Sequence, residues 1–379
     1  MRKRRFLITA KSAALVLTFS ITISSMLGFA GGLATAGYFS GGIELPEQIS
    51  WNTKAEQTAL LSTTSAAEGG KRTTAEVAAL TAASVVEIRT ETVTNDSWMQ
   101  QYVTNGAGSG VIVSSDGYIV TNNHVIDGAN KITVRLKNEK TYTATLVGTD
   151  SKTDVALLKI EATSLTPAIL GDSEGLQVGD TAIAIGNPLG QLGGTVTQGI
   201  ISALDRELTI DGKTMSLLQT DAAINPGNSG GGLFNDRGQL IGIVVAKSSG
   251  SDVEGLGFAI PINDAKAVAN ELMEYGYVKG RIDTGMTFLD LTTTQKALMY
   301  GVRQLGVYVQ AVASGSNAEA AGFKAGDLIS AVGDTKITGS AVLAQTLEKY
   351  SVGDTVTFTV IRNGSSGQLS LQLAEYKPK

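Results

Sequence analysis

The sequence predicts a mainly β protein: two folded units behind an N-terminal membrane segment. Three observations carry that expectation. From Val85 to about Pro261 the chain is a series of short β-rich runs broken by Gly, Asp and Asn, with few helical patterns between them. That spacing suits antiparallel sandwiches or barrels. Gly is abundant at 45 residues, while Pro stands at 6 and aromatics at 6%, a mixture for tight turns and not for long helical bundles. Finally, 379 residues with 42% apolar and 17% charged supply two cores at roughly 100–200 residues per domain.

The head of the chain carries Arg2, Lys3, Arg4, Arg5 and Lys11, five positive charges and no acid. No further charge occurs until Glu44, and the uncharged stretch has an apolar core from Ala13 to Phe39. A bilayer span needs about 20 apolar residues, a signal-peptide core only about 7–15. Residues 1–11 therefore read as a basic cytoplasmic head and 12–39 as a transmembrane signal anchor, with the rest exported by the positive-inside rule. A cleaved signal peptide competes with that reading, because Ala34-Thr35-Ala36 places small residues at a cleavage position. Residues 40–72 follow as a linker of Gly pairs and scattered charges without sustained period.

Thr73 and Thr74 before Ala75-Glu76-Val77 predict a capped helix start, opening a first unit over 73–278. Its strands are expected at 111–113, 118–120, 132–136, 156–160, 182–185 and 240–245. A helix over 262–275, capped by Asn263 or Asp264, closes it. The second unit, 279–379, reads as α+β. It has a strand at 307–309, a helix near 341–350, and alternating Val356, Phe358 and Val360. An Asn363-Gly364 turn then leads to Leu369 and Leu371 on a returning strand.

Composition removes several chemistries. There is no Cys, hence no disulfide, thiol nucleophile or thiolate metal site, and a single His excludes a zinc site built on imidazoles. No metal or cofactor is expected. Beyond residue 11 the chain holds 25 basic and 35 acidic residues, so nucleic acid is not an expected partner.

What remains is hydroxyl chemistry. Asn225-Pro226-Gly227-Asn228-Ser229-Gly230-Gly231-Gly232 sets Ser229 among glycines between two apolar strand runs, which makes it a structured turn. Neighbours without side chains let backbone N–H groups converge on a developing oxyanion. The same residues fit G-x-S-x-G, but α/β-hydrolases run Ser, acid, His, and no His follows Ser229. The only His, His124, lies 105 residues upstream, just after an apolar strand, and is the one general base available near neutral pH. His, then acid, then Ser is the chymotrypsin-type order. Asp154, immediately ahead of an apolar strand, is the expected buried acid that orients the imidazole. Asp150 is its rival, in a polar run and expected to be solvated. Asp127 reads as a turn residue and Asp221 as a strand-end residue.

Thr121-Asn122-Asn123-His124-Val125, Thr153-Asp154-Val155-Ala156-Leu157-Leu158 and Asn225-Pro226-Gly227-Asn228-Ser229-Gly230-Gly231 resemble the three signature blocks of the HtrA (Deg) family of trypsin-like serine proteases. Gly186-Asn187-Pro188 and Gly257-Phe258-Ala259-Ile260-Pro261 are similar to two further family stretches, and the likeness covers about residues 75–375. The resemblance implies a chymotrypsin-like double β-barrel followed by an α+β PDZ domain. It implies Ser229 as nucleophile, His124 as base, Asp154 as orienting acid, and oxyanion donors in Gly227-Asn228-Ser229. It implies substrate main chain beside Val244, Val245, Ala246 and Lys247, with residues 248–255 shaping the primary pocket.

The resemblance also implies capture of peptide C-termini at Thr284, Gly285 and Met286. Thr284 stands where the family usually has an apolar residue, and Asn317 where a Pro is common. A homotrimer, unfolded or misfolded protein substrates, and a stress-response role on the outer side of a bacterial cytoplasmic membrane are further implications. Three function classes follow: a tethered quality-control endopeptidase, a regulatory protease cutting one partner, and a PDZ-based binding protein or chaperone with minor hydrolysis.

Overall fold

The computed structural model describes residues 70–95, 101–187, 194–210, 213–246 and 256–378, all within one unit, 49–379. The expected anchor at 12–39, nearly all of the linker, Lys247 and the 248–255 loop lie outside the described residues. No helix among the described residues is long and apolar enough to cross a membrane.

Six antiparallel strands close the first barrel. They are β1 (Val85–Asn95), β2 (Gln101–Ile112), β3 (Tyr118–Asn122), β4 (Lys131–Arg135), β5 (Thr141–Asp150) and β6 (Val155–Ile160), in the order β1-β2-β3-β6-β5-β4. Period-2 alternation sorts their side chains. Val86, Ile88, Ile112, Ile119 and Leu158 fill the barrel, while Val85, Val111, Val120, Val155 and Leu157 point out of it into a core shared with the next strands. β3 and β6 are buried on both faces, the barrel interior covering one and the shared core the other.

The second barrel is built from β7 (Ile169–Leu170), β8 (Thr181–Gly186), β9 (Thr195–Ile210), β10 (Lys213–Thr220), β11 (Gly232–Phe234), β12 (Gln239–Val245) and β13 (Gly257–Pro261). The order is β11-β8-β9-β10-β13-β12-β7, and the β11–β12 pairing closes the ring. Its interior holds Ala182, Ala184, Ile201, Leu218, Leu233 and Val244.

Helix α1 (Thr74–Thr81) opens the described chain with a capping box between Thr73 and Glu76, as the sequence predicts. α2 (Asn123–Ile126) is a single turn after β3. α3 (Ile262–Tyr275) lies over the seam, burying Ile262, Ala265, Val268, Ala269 and Leu272 in the shared core. Its N-cap is Pro261, with no side-chain cap. Neither Asn263 nor Asp264 caps it, because β13 runs straight into the helix. The Asn263 amide donates to Asp172 at 2.8 Å, and burial, followed by the nearby Asp205 and Glu174 charges, pushes the Asp264 carboxyl up.

The C-terminal unit pairs β14 (Ile282–Asp283) with β21 (Ala374–Glu375). A second sheet runs β15 (Met286–Leu291), β16 (Gly306–Val312), β17 (Leu328–Val332), β19 (Thr355–Arg362) and β20 (Ser365–Gln372), with β18 (Thr335–Lys336) on β17. Helices α4 (Thr294–Met299), α5 (Asn317–Ala320) and α6 (Ser340–Leu347) complete it, α6 ending three residues short of the expected span. Asn363 and Gly364 both take left-handed φ, 52° and 79°, at the β19–β20 turn, as the hairpin chemistry requires.

Asp150 is not solvated. It is 5% exposed, and Arg281 grips it bidentately, at 2.9 Å from Nε and 2.6 Å from the terminal nitrogen. Burial alone would raise its carboxyl; the Arg281 guanidinium and Thr153 hold it below the ordinary range. The partner lies 131 residues away, which is why a local reading missed it.

Candidate active site at the barrel seam

His124 sits in the single turn α2, where its backbone N–H donates to Asp154 Oδ1 at 2.9 Å and its Nδ1 lies 2.7 Å from Oδ2. Asp154 is held from both ends. Its carbonyl accepts from Asn123 N–H at 3.0 Å and Asn122 Nδ2 at 3.1 Å, and its φ of 57° is a left-handed conformation uncommon for a residue with a side chain. Asp154 is 8% exposed and the His124 side chain 19%, so this pair is shielded while one edge of the ring reaches solvent. Asn123 is fixed in turn by the Thr149 hydroxyl of β5.

Ser229 lies on the β10–β11 loop, 7% exposed, and its Oγ accepts from Ala246 N–H at 3.2 Å. Gly108 of β2 joins the two halves. A methyl placed on it would meet the Val125 methyls at 2.7 and 2.9 Å and Ser229 O at 3.4 Å. The His-bearing turn and the Ser229 loop therefore pack on one point of β2, and Gly leaves room for both.

The loop's hydrogen bonds fix where its N–H groups point. Asn228 O accepts from Gly231 N–H at 2.9 Å, so the Ser229 N–H, trans to that carbonyl, faces the opposite way. Asn228 N–H is already committed to Asn225 O at 3.0 Å, which removes it from the expected oxyanion donors. The Asn228 side chain, 1% exposed, has no hydrogen-bond partner among the described residues. Gly227 and Gly230 take φ of 99° and 78°, and any Cβ on Gly230 would run into Ser109 O and Thr121 Oγ1.

The expected substrate strand needs correction at its start. Val244 donates to Gly231 O and accepts from Gly230 N–H, both at 2.9 Å, and its side chain is inside the barrel. Val245 is paired with Phe258 of β13 and buried in the shared core. Ala246 is the described residue of this run that meets Ser229.

In the C-terminal unit, Thr284-Gly285-Met286 forms the turn into β15. Gly285 N–H donates to Asp283 Oδ1 at 2.7 Å, and Met286 N–H to Thr284 Oγ1 at 3.3 Å. Beside this turn is a cleft of about 490 Å³ whose lining includes Asp150, Lys152, Arg281, Thr284, Phe288 and Leu347, so it is shared with the first barrel. Among the described residues no group of three or more metal-ligating side chains is gathered.

Sequence reasoning missed Ser109, Asn187 and Arg281. For Ser109 the available signal was Gly108-Ser109-Gly110 inside a strand, since strand glycines mark close approach of another backbone.

A family model described as a trypsin-like peptidase domain matches residues 108–243, and a PDZ domain model matches 282–373. Serine protease Do-like HtrA of Bacillus subtilis (strain 168) is 44% identical over 292 residues, covering 73% of this chain and 65% of that protein. A solved structure of the HtrA-type protease AlgW, in a serine-to-alanine form with a decapeptide, is 34% identical. It matches with a TM-score of 0.54 over 81% of this chain and 98% of that one. The chain belongs to the HtrA family of serine proteases. A further family relative, the periplasmic serine endoprotease DegP of Escherichia coli (strain K12), is 41% identical over 280 residues, 73% of this chain and 58% of its own. The chain thus spans less than two thirds of the length of these two curated relatives.

Proposed function

We propose that the chain is an exported serine endopeptidase that cleaves unfolded or misfolded proteins through His124, Asp154 and Ser229. The observation that carries the reading is the doubly bonded His124–Asp154 pair, Nδ1 to Oδ2 at 2.7 Å, packed with the Ser229 loop on Gly108. The bonded Nδ1 leaves Nε2 as the basic nitrogen. His124 takes the Ser229 proton as Oγ attacks the scissile carbonyl. Asp154 stays ionised and stabilises the imidazolium. The Ser229 and Gly227 N–H groups hold the tetrahedral oxygen, each such donor being worth about 10²–10³ in kcat. His124 then protonates the leaving amine, and water repeats the cycle on the acyl-enzyme.

The substrate main chain runs past Ala246 into the following residues. The basic head and apolar run at 1–39 tether the enzyme to the outer side of the cytoplasmic membrane, and its domains are those at 73–278 and 279–379. The C-terminal unit takes extended peptides along β15 at Thr284–Met286 and tunes cleavage.

The test is cleavage of an unfolded protein by the full chain in detergent and by its Ser229→Ala twin, with and without C-terminal peptides. Cleavage by the first alone, changed by peptide, supports the reading. Equal behaviour of the two overturns it in favour of a binding protein.

A further inference from the structure

Ser109 lies on β2 of the first barrel, is fully buried, and has no part in the chemistry above. All of its polar groups nevertheless converge on the seam. Its hydroxyl donates to Gly227 O at 2.7 Å and accepts from Asn187 N–H at 2.7 Å. Its N–H donates to Ser229 O at 2.8 Å, and its carbonyl accepts from Thr121 Oγ1 at 2.7 Å. One side chain thus ties three segments: β2, the end of β8 and the Ser229 loop.

The bonds fall on particular peptide planes. Gly227 O shares a plane with Asn228 N–H, which is pinned to Asn225 O. Ser229 O shares one with Gly230 N–H, which is pinned to Val244 O. Between them lies the plane that carries the Ser229 N–H. Peptide planes are rigid, so fixing the two outer ones leaves the middle one little freedom.

We propose that Ser109 is a positioning residue. Its hydroxyl and N–H, reaching across from the first barrel, clamp the peptide planes on either side of the Ser229 N–H and so set the direction of an oxyanion donor. The inference rests on the protease reading above. It places the effect in the transition state, because the plane held between the two clamped ones carries an oxyanion donor.

The experiment compares the full chain in detergent with Ser109→Ala, using a peptide substrate and a peptidyl boronate that forms a tetrahedral adduct on the nucleophile. Ser109→Ala is expected to lower kcat about 10–100-fold, below the loss of a whole donor. KM should stay within about twofold, and boronate affinity should weaken by the same factor as kcat. The melting temperature should be close to the parent's. Ser109→Cys fills the site with a slightly larger group that is a weaker donor and should lose activity in the same direction, which covers an alanine variant that does not fold. Thr121→Val removes a bond to the carbonyl of Ser109 but spares the clamp, and should change kcat by less than about threefold. Unchanged kcat and boronate affinity in Ser109→Ala, or a loss that appears in KM, overturns the inference alone. A parent chain that cleaves nothing overturns the protease reading, and this one with it.

Discussion

Two loops in this molecule are candidate anion sites built on backbone N–H groups, and they differ in what holds them. Around Ser229 the carbonyls are tied by neighbours: Gly227 O and Ser229 O by Ser109, Asn228 O by Gly231. With its carbonyls held, the loop has its Ser229 N–H turned away from them. At 284–286 the loop folds its own side chains back, Asp283 onto Gly285 N–H and Thr284 onto Met286 N–H. A loop clamped from outside keeps its donors directed at a ligand, whereas one that satisfies itself must surrender bonds before it binds an anion. The second loop pairs its own N–H groups, as buried donors require, whereas the first holds its donors open and is preorganised.

The largest effect that would test this contrast is Ser229→Ala. Cleavage should fall by at least about 10⁴-fold while calorimetric binding of a C-terminal peptide is unchanged, because the nucleophile takes no part in peptide capture. Asp154→Asn should cost about 10³–10⁴ in kcat with KM nearly constant, because the imidazole loses the carboxylate that orders its tautomer. Next is Asp283→Asn, which removes a negative charge from the second loop. Affinity for a C-terminal peptide should rise by about three- to tenfold, less at high salt; no change would mean that the loop is not the carboxylate site.

The smallest effect concerns pH. Asp290 at the far end of β15 accepts bonds from Thr292 and from Ser340 at the start of α6. Burial raises its carboxyl, but those bonds bring it to about 2. The folded value lies below the unfolded one near 3.9, so its stabilisation is present above about pH 4 and is lost as pH falls towards 2. Acid melts followed by circular dichroism should show that loss, and Asp290→Asn should flatten it.

Much of the seam was legible because its parts are local. His124 follows a strand, Asp154 precedes one, and Ser229 stands among glycines that only a tight turn explains. Element types were legible for the same reason, since alternation and turn residues act over a few positions. What the sequence hid depends on residues far apart. Asp150 read as solvated because Arg281 is invisible from a polar run. Ser109 went unremarked because the groups that its hydroxyl and N–H bond come from the other barrel. Asn263 and Asp264 looked like caps because local propensity cannot say that β13 continues to Pro261. Val244 looked available because strand order alone determines that its edge faces the Ser229 loop.

The His124 ring is the only imidazole in 379 residues, and its Nδ1 is already occupied. Any reagent or spectroscopic probe selective for histidine therefore addresses a single nitrogen at the seam, without background from the rest of the chain. A proton resonance of that ring, or the stoichiometric uptake of an alkylating label at Nε2, becomes a one-site gauge of whether the seam is assembled, readable in detergent or in a membrane without any substrate.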